Sequence, residues 1–392
     1  VLASKTKTKK RFKIRQIFNE KGNGFDLPFL GIVIILLRFG LVMLYSASYV
    51  KAIYKFDDSL HYIRKQVLYA ILGFGVMIFA SRVDYHIYRR FIPALMALTY
   101  VLLLVVLTMK DYNGCHRWIT IPGVGTFQPS EIAKFVEILV FSHLIERNYD
   151  RMKDPRYGIA PFMLVIVSFV SLLYFEPHLS CIVIICFIGA TMMFVGGSDI
   201  KWFGVGFLAL LGAVMIAFLL FRDQIGRYIY PRIESWRHPE LDLQGDGYQS
   251  YQALLAIGSG GLFGLGIGNS RQKHLHLPEM QNDFIYPIIC EELGFIGGML
   301  VIILFLALLF RGFQIAKKAK DKFGAMMVIG IITQISIQAF LNIAVATNTI
   351  PNTGISLPFF SDGGTALLMV LGELGIVLSV SRQANMNEDD GE

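Results

Sequence analysis

About ten long apolar runs recur along this chain, and that repetition restricts what it can fold into more than any other feature. A helix needs roughly 20 apolar residues to cross about 30 Å of hydrocarbon. Runs of that kind lie at 27–47, 66–80, 91–109, 129–144 and 159–174, and again at 179–195, 202–221, 284–310, 323–345 and 365–380. They are continuously apolar rather than alternating, so helices are expected and a barrel is not. The expected fold class is an all-α polytopic membrane protein with about ten transmembrane helices. Composition agrees: of 392 residues 54% are hydrophobic and 17% charged, where soluble domains are roughly 45–50% apolar and about 25% charged. Cys115, Cys181, Cys186 and Cys290 form no CxxC pair, so neither a thiolate metal site nor a disulfide framework is indicated.

Charge gives the spans a direction. The basic segments 5–21, 82–90, 147–156 and 311–322 fall on one side, which then carries roughly twice the Lys and Arg of the other, as the positive-inside rule requires. The expected location is a bacterial cytoplasmic membrane with both termini cytoplasmic. Residues 1–26 read as a basic tail, 27–382 as the transmembrane domain and 383–392 as an acidic tail. The basic tail is too long a lead for a cleavable signal peptide. A net charge of +7 reflects topology and attraction to anionic lipid, not nucleic-acid binding.

One extracytoplasmic link is long, at 222–283 between the seventh and eighth spans, where structureless loops seldom exceed about 15 residues. It is rich in aromatics, and its Gly-rich stretch 254–267 reads as a re-entrant or interfacial segment. The link at 111–128 carries Arg117 and Trp118; that at 347–364 carries Pro and Gly and no Lys or Arg.

Ionisable groups inside spans are costly and mark function by default. Arg38, Glu131, Lys134, Glu137, Glu291 and Glu292 are such groups. Glu131 and Lys134, three apart, share a helix face and can pair; a structural and a functional pair are equally open. For Glu291 and Glu292 a structural hydrogen-bonding role is favoured. Gln334, Gln338 and Asn342 form an amide stripe suited to interhelical hydrogen bonds. His274 and His276 lack a third ligand. Asp283 closes the large loop at the start of a helix. Position alone favours an N-cap; the alternative is a carboxylate desolvated beside lipid, with its pKa raised toward that of a general base. Arg227, Arg232, Arg271 and Lys273 lie in the same loop and suit an anionic head group.

Several motifs, in order, resemble the SEDS family of bacterial cell-wall synthesis, the FtsW, RodA and SpoVE proteins. They are Tyr45-Ser46-Ala47-Ser48, Ser81-Arg82-Val83-Asp84-Tyr85, Arg117-Trp118-Ile119, and Gln128-Pro129-Ser130-Glu131 with Lys134. Then come Gly264-Leu265-Gly266-Ile267-Gly268, Leu277-Pro278-Glu279, Asp283-Phe284-Ile285, Glu291-Glu292-Leu293-Gly294 and Pro351-Asn352-Thr353-Gly354 through Pro358-Phe359. The resemblance implies a peptidoglycan glycosyltransferase that polymerises lipid II outside the membrane, partnered by a class B penicillin-binding protein within the division or sporulation machinery. It places the essential loop carboxylate on Asp283 and substrate-binding positions on Arg117, Glu131, Lys134 and Glu279, beside the loop cations Arg232 and Lys273. The leaving pyrophosphate needs Arg, Lys or a divalent cation such as Mg²⁺. A lipid II flippase, an elongation-type RodA polymerase and a non-enzymatic scaffold are the alternatives. Four positions depart from the family pattern: Asn282 for Thr, His178 and its neighbours in Glu176-Pro177-His178-Leu179-Ser180, Asp362 in Ser361-Asp362-Gly363-Gly364, and Arg38 in the first span.

Overall fold

The computed structural model describes residues 24–109, 117–121, 125–176, 178–206, 233–241, 245 and 247–389. Among the described residues ten helices of at least thirteen residues carry the fold: α1 (Leu27–Phe56), α2 (His61–Arg82), α3 (Ile87–Val106), α4 (Pro129–Asn148), α5 (Ala160–Phe175), α6 (Leu179–Val195), α7 (Gly247–Ser259), α8 (Ile285–Lys317), α9 (Lys322–Ala346) and α10 (Thr365–Asp389). Among the described residues seven helical segments are long and apolar enough to span a bilayer. The chain is a multi-pass membrane protein. α6 is apolar but shorter, and α4 carries the charges Glu131, Lys134 and Glu137. The expected span at 202–221 lies outside the described residues beyond position 206.

Helix starts follow local chemistry. Asp26 caps α1 by accepting from Phe29 N–H at 2.9 Å, and Asp321 caps α9 by accepting from Gly324 N–H at 2.9 Å. Pro129 opens α4, where its missing N–H has no helical partner to lose. α9 is the central helix, packed against α4, α6, α8 and α10, while α2 lies along α10 and α1 along α8.

Three features differ from the sequence expectation. The 111–128 link contains a small antiparallel hairpin, β1 (Ile119–Ile121) with β2 (Gly125–Phe127), tied to α10 by the Thr365 hydroxyl donating to Thr126 O at 2.9 Å. α10 continues through the first residues read as the acidic tail. The Gly-rich stretch is not one segment: its first part completes α7, and residues 260–266 fold against a break in α8. At Gly294 (φ 69°, ψ −167°) α8 leaves helical geometry. The groups this frees are exchanged with the loop. Leu265 and Gly266 N–H donate to Glu291 O and Glu292 O, both at 2.9 Å, and Phe295 and Ile296 N–H donate to Gly261 O and Leu262 O at 2.8 and 3.3 Å. Irregular backbone is tolerated at membrane depth only with such replacement partners. Gly264 (φ 78°) lies so near Glu292 O that a Cβ there would collide with it.

Candidate functional site

The break in α8 fixes the loop that follows α7. Glu291, fully buried, accepts from the Ser270 hydroxyl and from Arg271 N–H at 2.8 Å. Glu292, equally buried, accepts from Ser46 Oγ at 2.6 Å and pairs with Lys273 Nζ at 2.8 Å. Both glutamates therefore hold the loop in place. Lys273 is placed differently from the expectation that it receives phosphate: its ammonium is fully buried, engaged by Glu292 and set 4.8 Å from the Tyr49 ring centroid. Removing it from that pair would strand a buried carboxylate. Glu279 is exposed, pairing with Lys51 at 3.2 Å and accepting from Asn282 Nδ2 at 2.6 Å. Arg227 and Arg232 lie outside the described residues.

Asp283 does not cap α8. The N-cap is Phe284, with no side-chain cap hydrogen bond. Three successive carbonyls ahead of the helix are instead held by other parts of the chain. Gln281 O accepts from Asp362 N–H at 2.8 Å, Asn282 O from Ser361 Oγ at 2.5 Å, and Asp283 O from Asn342 Nδ2 at 2.7 Å. The backbone is thus fixed from α9 and from the 347–364 link, while no described residue donates to the Asp283 carboxylate. Gly354 (φ 64°) faces it so closely that a Cβ there would sit 3.3 Å from Oδ2. Burial, with some help from Glu279 and against Arg117, raises the Asp283 carboxyl to about 6.

A second carboxyl shares the same arginine. Arg117 Nε donates to Glu176 O at 3.4 Å. Glu176 is fully buried with neither side-chain oxygen paired, and burial, opposed by Arg117, raises it to about 8. His178, buried beside Gln128 at 3.4 Å, is held neutral, its pKa lowered by burial and by Arg117 and Lys134 to about 3. The Ser180 hydroxyl donates to Thr353 O, which joins this corner to Gly354. The sequence flagged 176–180 only as a departure from pattern and did not anticipate Glu176.

Beneath the site the amide stripe does what its spacing indicated. Lys134 pairs with Glu131 at 2.9 Å and donates to Gln338 Oε1 at 2.9 Å. Gln338 Nε2 reaches Ser356 O at 3.2 Å, and Asn342 Nδ2 holds Ile355 O at 2.6 Å as well as Asp283 O. Gln334 donates to Glu373 on α10 at 3.0 Å, an intramembrane acid the sequence reading passed over. Glu131 and Lys134 are buried, and through Gln338 they are joined to Ser356 in the link that carries Gly354. Arg38 lies exposed on α1, away from all of this. Among the described residues no three His, Cys, Asp or Glu are grouped as metal ligands. The described residues do not by themselves form a cation site.

A helical membrane bundle in which a broken helix and its loop hold a buried carboxylate without a described donor defines a polytopic membrane protein with a candidate site at one end. Residues 27–386 match the FtsW/RodA/SpoVE family, described as cell cycle protein, and the chain belongs to that family. It is 41% identical to stage V sporulation protein E of Bacillus subtilis (strain 168) over 91% of this chain and 97% of that protein. It is 37% identical to a "probable peptidoglycan glycosyltransferase FtsW" of Geobacter sp. (strain M18), again over 91% and 97%. The fold superposes on rod shape determining protein RodA of Thermus thermophilus with a TM-score of 0.66 and 25% identity, covering 92% of this chain and 97% of that one. It also superposes on a chain of a peptidoglycan synthase complex that coordinates polymerization and crosslinking, with a TM-score of 0.75 and 24% identity over 92% and 98%.

Proposed function

We propose that this glycosyltransferase polymerises lipid II into glycan strands on the outer face of the cytoplasmic membrane, with Asp283 as general base. The observation that carries the reading is the Asp283 carboxylate, whose backbone is fixed by Asn342 and its neighbours while its oxygens receive no hydrogen bond from a described residue. A base held so is oriented in advance and remains available to a proton. In the reaction Asp283 takes the proton of the acceptor GlcNAc 4-hydroxyl as that oxygen attacks C1 of the donor MurNAc. The C1–oxygen bond to phosphate breaks, its electron pair leaves with undecaprenyl pyrophosphate, and the α-linked donor becomes a β-1,4 bond. Inversion needs no covalent glycosyl-enzyme, so a single well-placed carboxylate suffices. The nearness of Arg117 to both Asp283 and Glu176 supports its meeting the pyrophosphate charge.

The partner in this reading is a class B penicillin-binding protein that cross-links the product, and the setting is division or sporulation. A flippase would need its intramembrane charges along an open path; Glu131 and Lys134 are buried and paired to each other, which favours the enzyme. The test is reconstitution with purified lipid II and the partner transpeptidase. Glycan polymer that disappears in Asp283→Ala is expected; unchanged polymer in that variant removes the assignment, and lipid flipping without polymer favours transport.

A further inference from the structure

Arg38 is an intramembrane charge that the site leaves unused, and unlike Glu137 it lies exposed. It stands about 16 Å along α1 from the helix start at Leu27, counting 1.5 Å per residue, which is close to mid-depth in about 30 Å of hydrocarbon. Its side chain is exposed, on the face shared by Ile35, Val42 and Tyr45. No described residue gives it an ion pair, a hydrogen bond or a ring contact. The other intramembrane charges among the described residues, Glu131, Lys134, Glu137, Glu291, Glu292 and Glu373, are all buried.

We infer that this face of α1 receives a transmembrane helix of another protein that carries a carboxylate at bilayer mid-depth. A guanidinium facing hydrocarbon is costly until it is paired, and the chemistry that pairs it is a carboxylate. The depth selects the source. Lipid head groups lie at the two edges of the bilayer, away from Arg38. A second copy of this chain has no carboxylate among its described residues to present there, because its intramembrane acids are inside the bundle. The surface has the shape for a helix. From Arg38 toward the Asp283 end, α1 borders a cavity of about 530 Å³ lined by Val42, Tyr45 and Tyr49, by Ile63 and Val67 of α2, and by Ile267. A helix laid along α1 with its acid against Arg38 would seat apolar side chains in that hollow.

The test uses the full chain in phosphatidylcholine vesicles with leucine-rich single-span peptides that differ only in a central Glu, Gln or Leu, association being read by energy transfer. The Glu peptide is expected to bind at least tenfold more tightly than the Leu peptide. That gap should close in Arg38→Leu and in Arg38→Gln, and Arg38→Glu should prefer a Lys-centred peptide. Arg38→Leu places an apolar side chain against lipid, and a thermal melt in detergent verifies that each variant is folded. Equal binding of the Glu and Leu peptides, or a preference that survives both neutral variants, overturns the inference. So does self-association of the chain that Arg38→Leu abolishes, which assigns the face to a second copy. Selective retention of phosphatidylglycerol that depends on Arg38 assigns it to a lipid head group and overturns it equally.

Discussion

At the end of the bundle away from Asp283, His86 sits between two aspartates. Its Nδ1 meets Asp84 at 2.7 Å and its Nε2 meets Asp321 at 2.8 Å. Asp84 also accepts from His86 N–H at 3.0 Å and Gln383 Nε2 at 3.2 Å, and Asp321 from Tyr85 OH at 2.9 Å. Each of these side chains has a partner within the clasp, and together they join the α2–α3 turn to the start of α9 and the end of α10. At the site end, Asp283 has no described donor, and Glu176, the Thr353 hydroxyl and Asn342 Oδ1 are unpaired. Pairing sets the direction of the pKa shifts. In the clasp His86 is held up to about 9 by its hydrogen bonds to Asp321 and Asp84, and Asp84 is held down to about 2 because burial is outweighed by its bonds from His86 and Gln383. Burial without such bonds pushes Asp283 up to about 6 and Glu176 up to about 8. The same residue types are paired at one end and left without partners at the other, the arrangement expected where buried groups are kept available for chemistry.

The largest effect expected of this difference is on turnover. Asp283→Asn should lower polymerisation of lipid II by about 10²–10⁴-fold, the usual contribution of general-base assistance. In the wild type the acid limb of kcat/KM should fall as pH drops through about 6, because the proton acceptor is the ionised form. A variant that retains wild-type rate, or an acid limb unchanged near pH 6, breaks the contrast at its centre.

Much of this contrast lies beyond what the chain reveals as a string. Span positions are legible because length and apolarity alone decide them, and the Glu131–Lys134 pair because spacing on one helix decides it. The state of Asp283 is not legible. Its position before a helix favours a cap, and what removes it from that role is a set of tethers from Asn342, Ser361 and Asp362, far along the chain. Lys273 is illegible for a related reason. A loop lysine reads as a free cation until the break at Gly294 and the turn at Gly264 bring it against Glu292.

That buried pair marks the limit of the unpaired region. Lys273→Met should cost about 3–5 kcal/mol of stability by leaving Glu292 without its counter-charge, read as a large drop in thermal stability in detergent. Lys273→Met with Glu292→Leu should recover most of the loss, since an apolar pair of similar size fits a dry site. A stable single variant whose KM for lipid II rises would return Lys273 to the substrate.

A single type of substitution should change sign between the two ends. The Asp283 pKa, about 6, stands above the ordinary carboxylate value of 3.8, so this group costs the folded state nothing below pH 3.8 and opposes it increasingly as pH rises through about 6. Asp283→Asn should therefore raise the melting temperature by a few degrees at neutral pH while it slows polymerisation, the recurrent trade between stability and activity. Asp321→Asn should lower it, because this carboxylate is held below its ordinary value by His86, Gly324 and Tyr85. Two shifts of the same sign would mean that pairing does not distinguish the ends.

The smallest effect is the pH response of the clasp, and its direction follows from the two shifts. His86 is raised to about 9 from 6.5, so its contribution is complete below pH 6.5 and fades as pH rises through about 9. Asp84 is lowered to about 2 from 3.8, so its contribution is complete above pH 3.8 and fades as pH falls through about 2. Between those limits the clasp is at full strength. His86 and Asp84 are both partly exposed, so solvent screening keeps the gain modest, about 1 kcal/mol for the hydrogen-bonded group as a whole. Thermal stability of the wild type should decline gently from pH 6.5 to 9, and His86→Ala should be less stable at pH 6 yet flatter across that interval. A wild-type curve already flat from pH 6.5 to 9 would show that His86 holds no proton there for the two aspartates to share, and the paired end would then rest on Tyr85 and Gln383 instead.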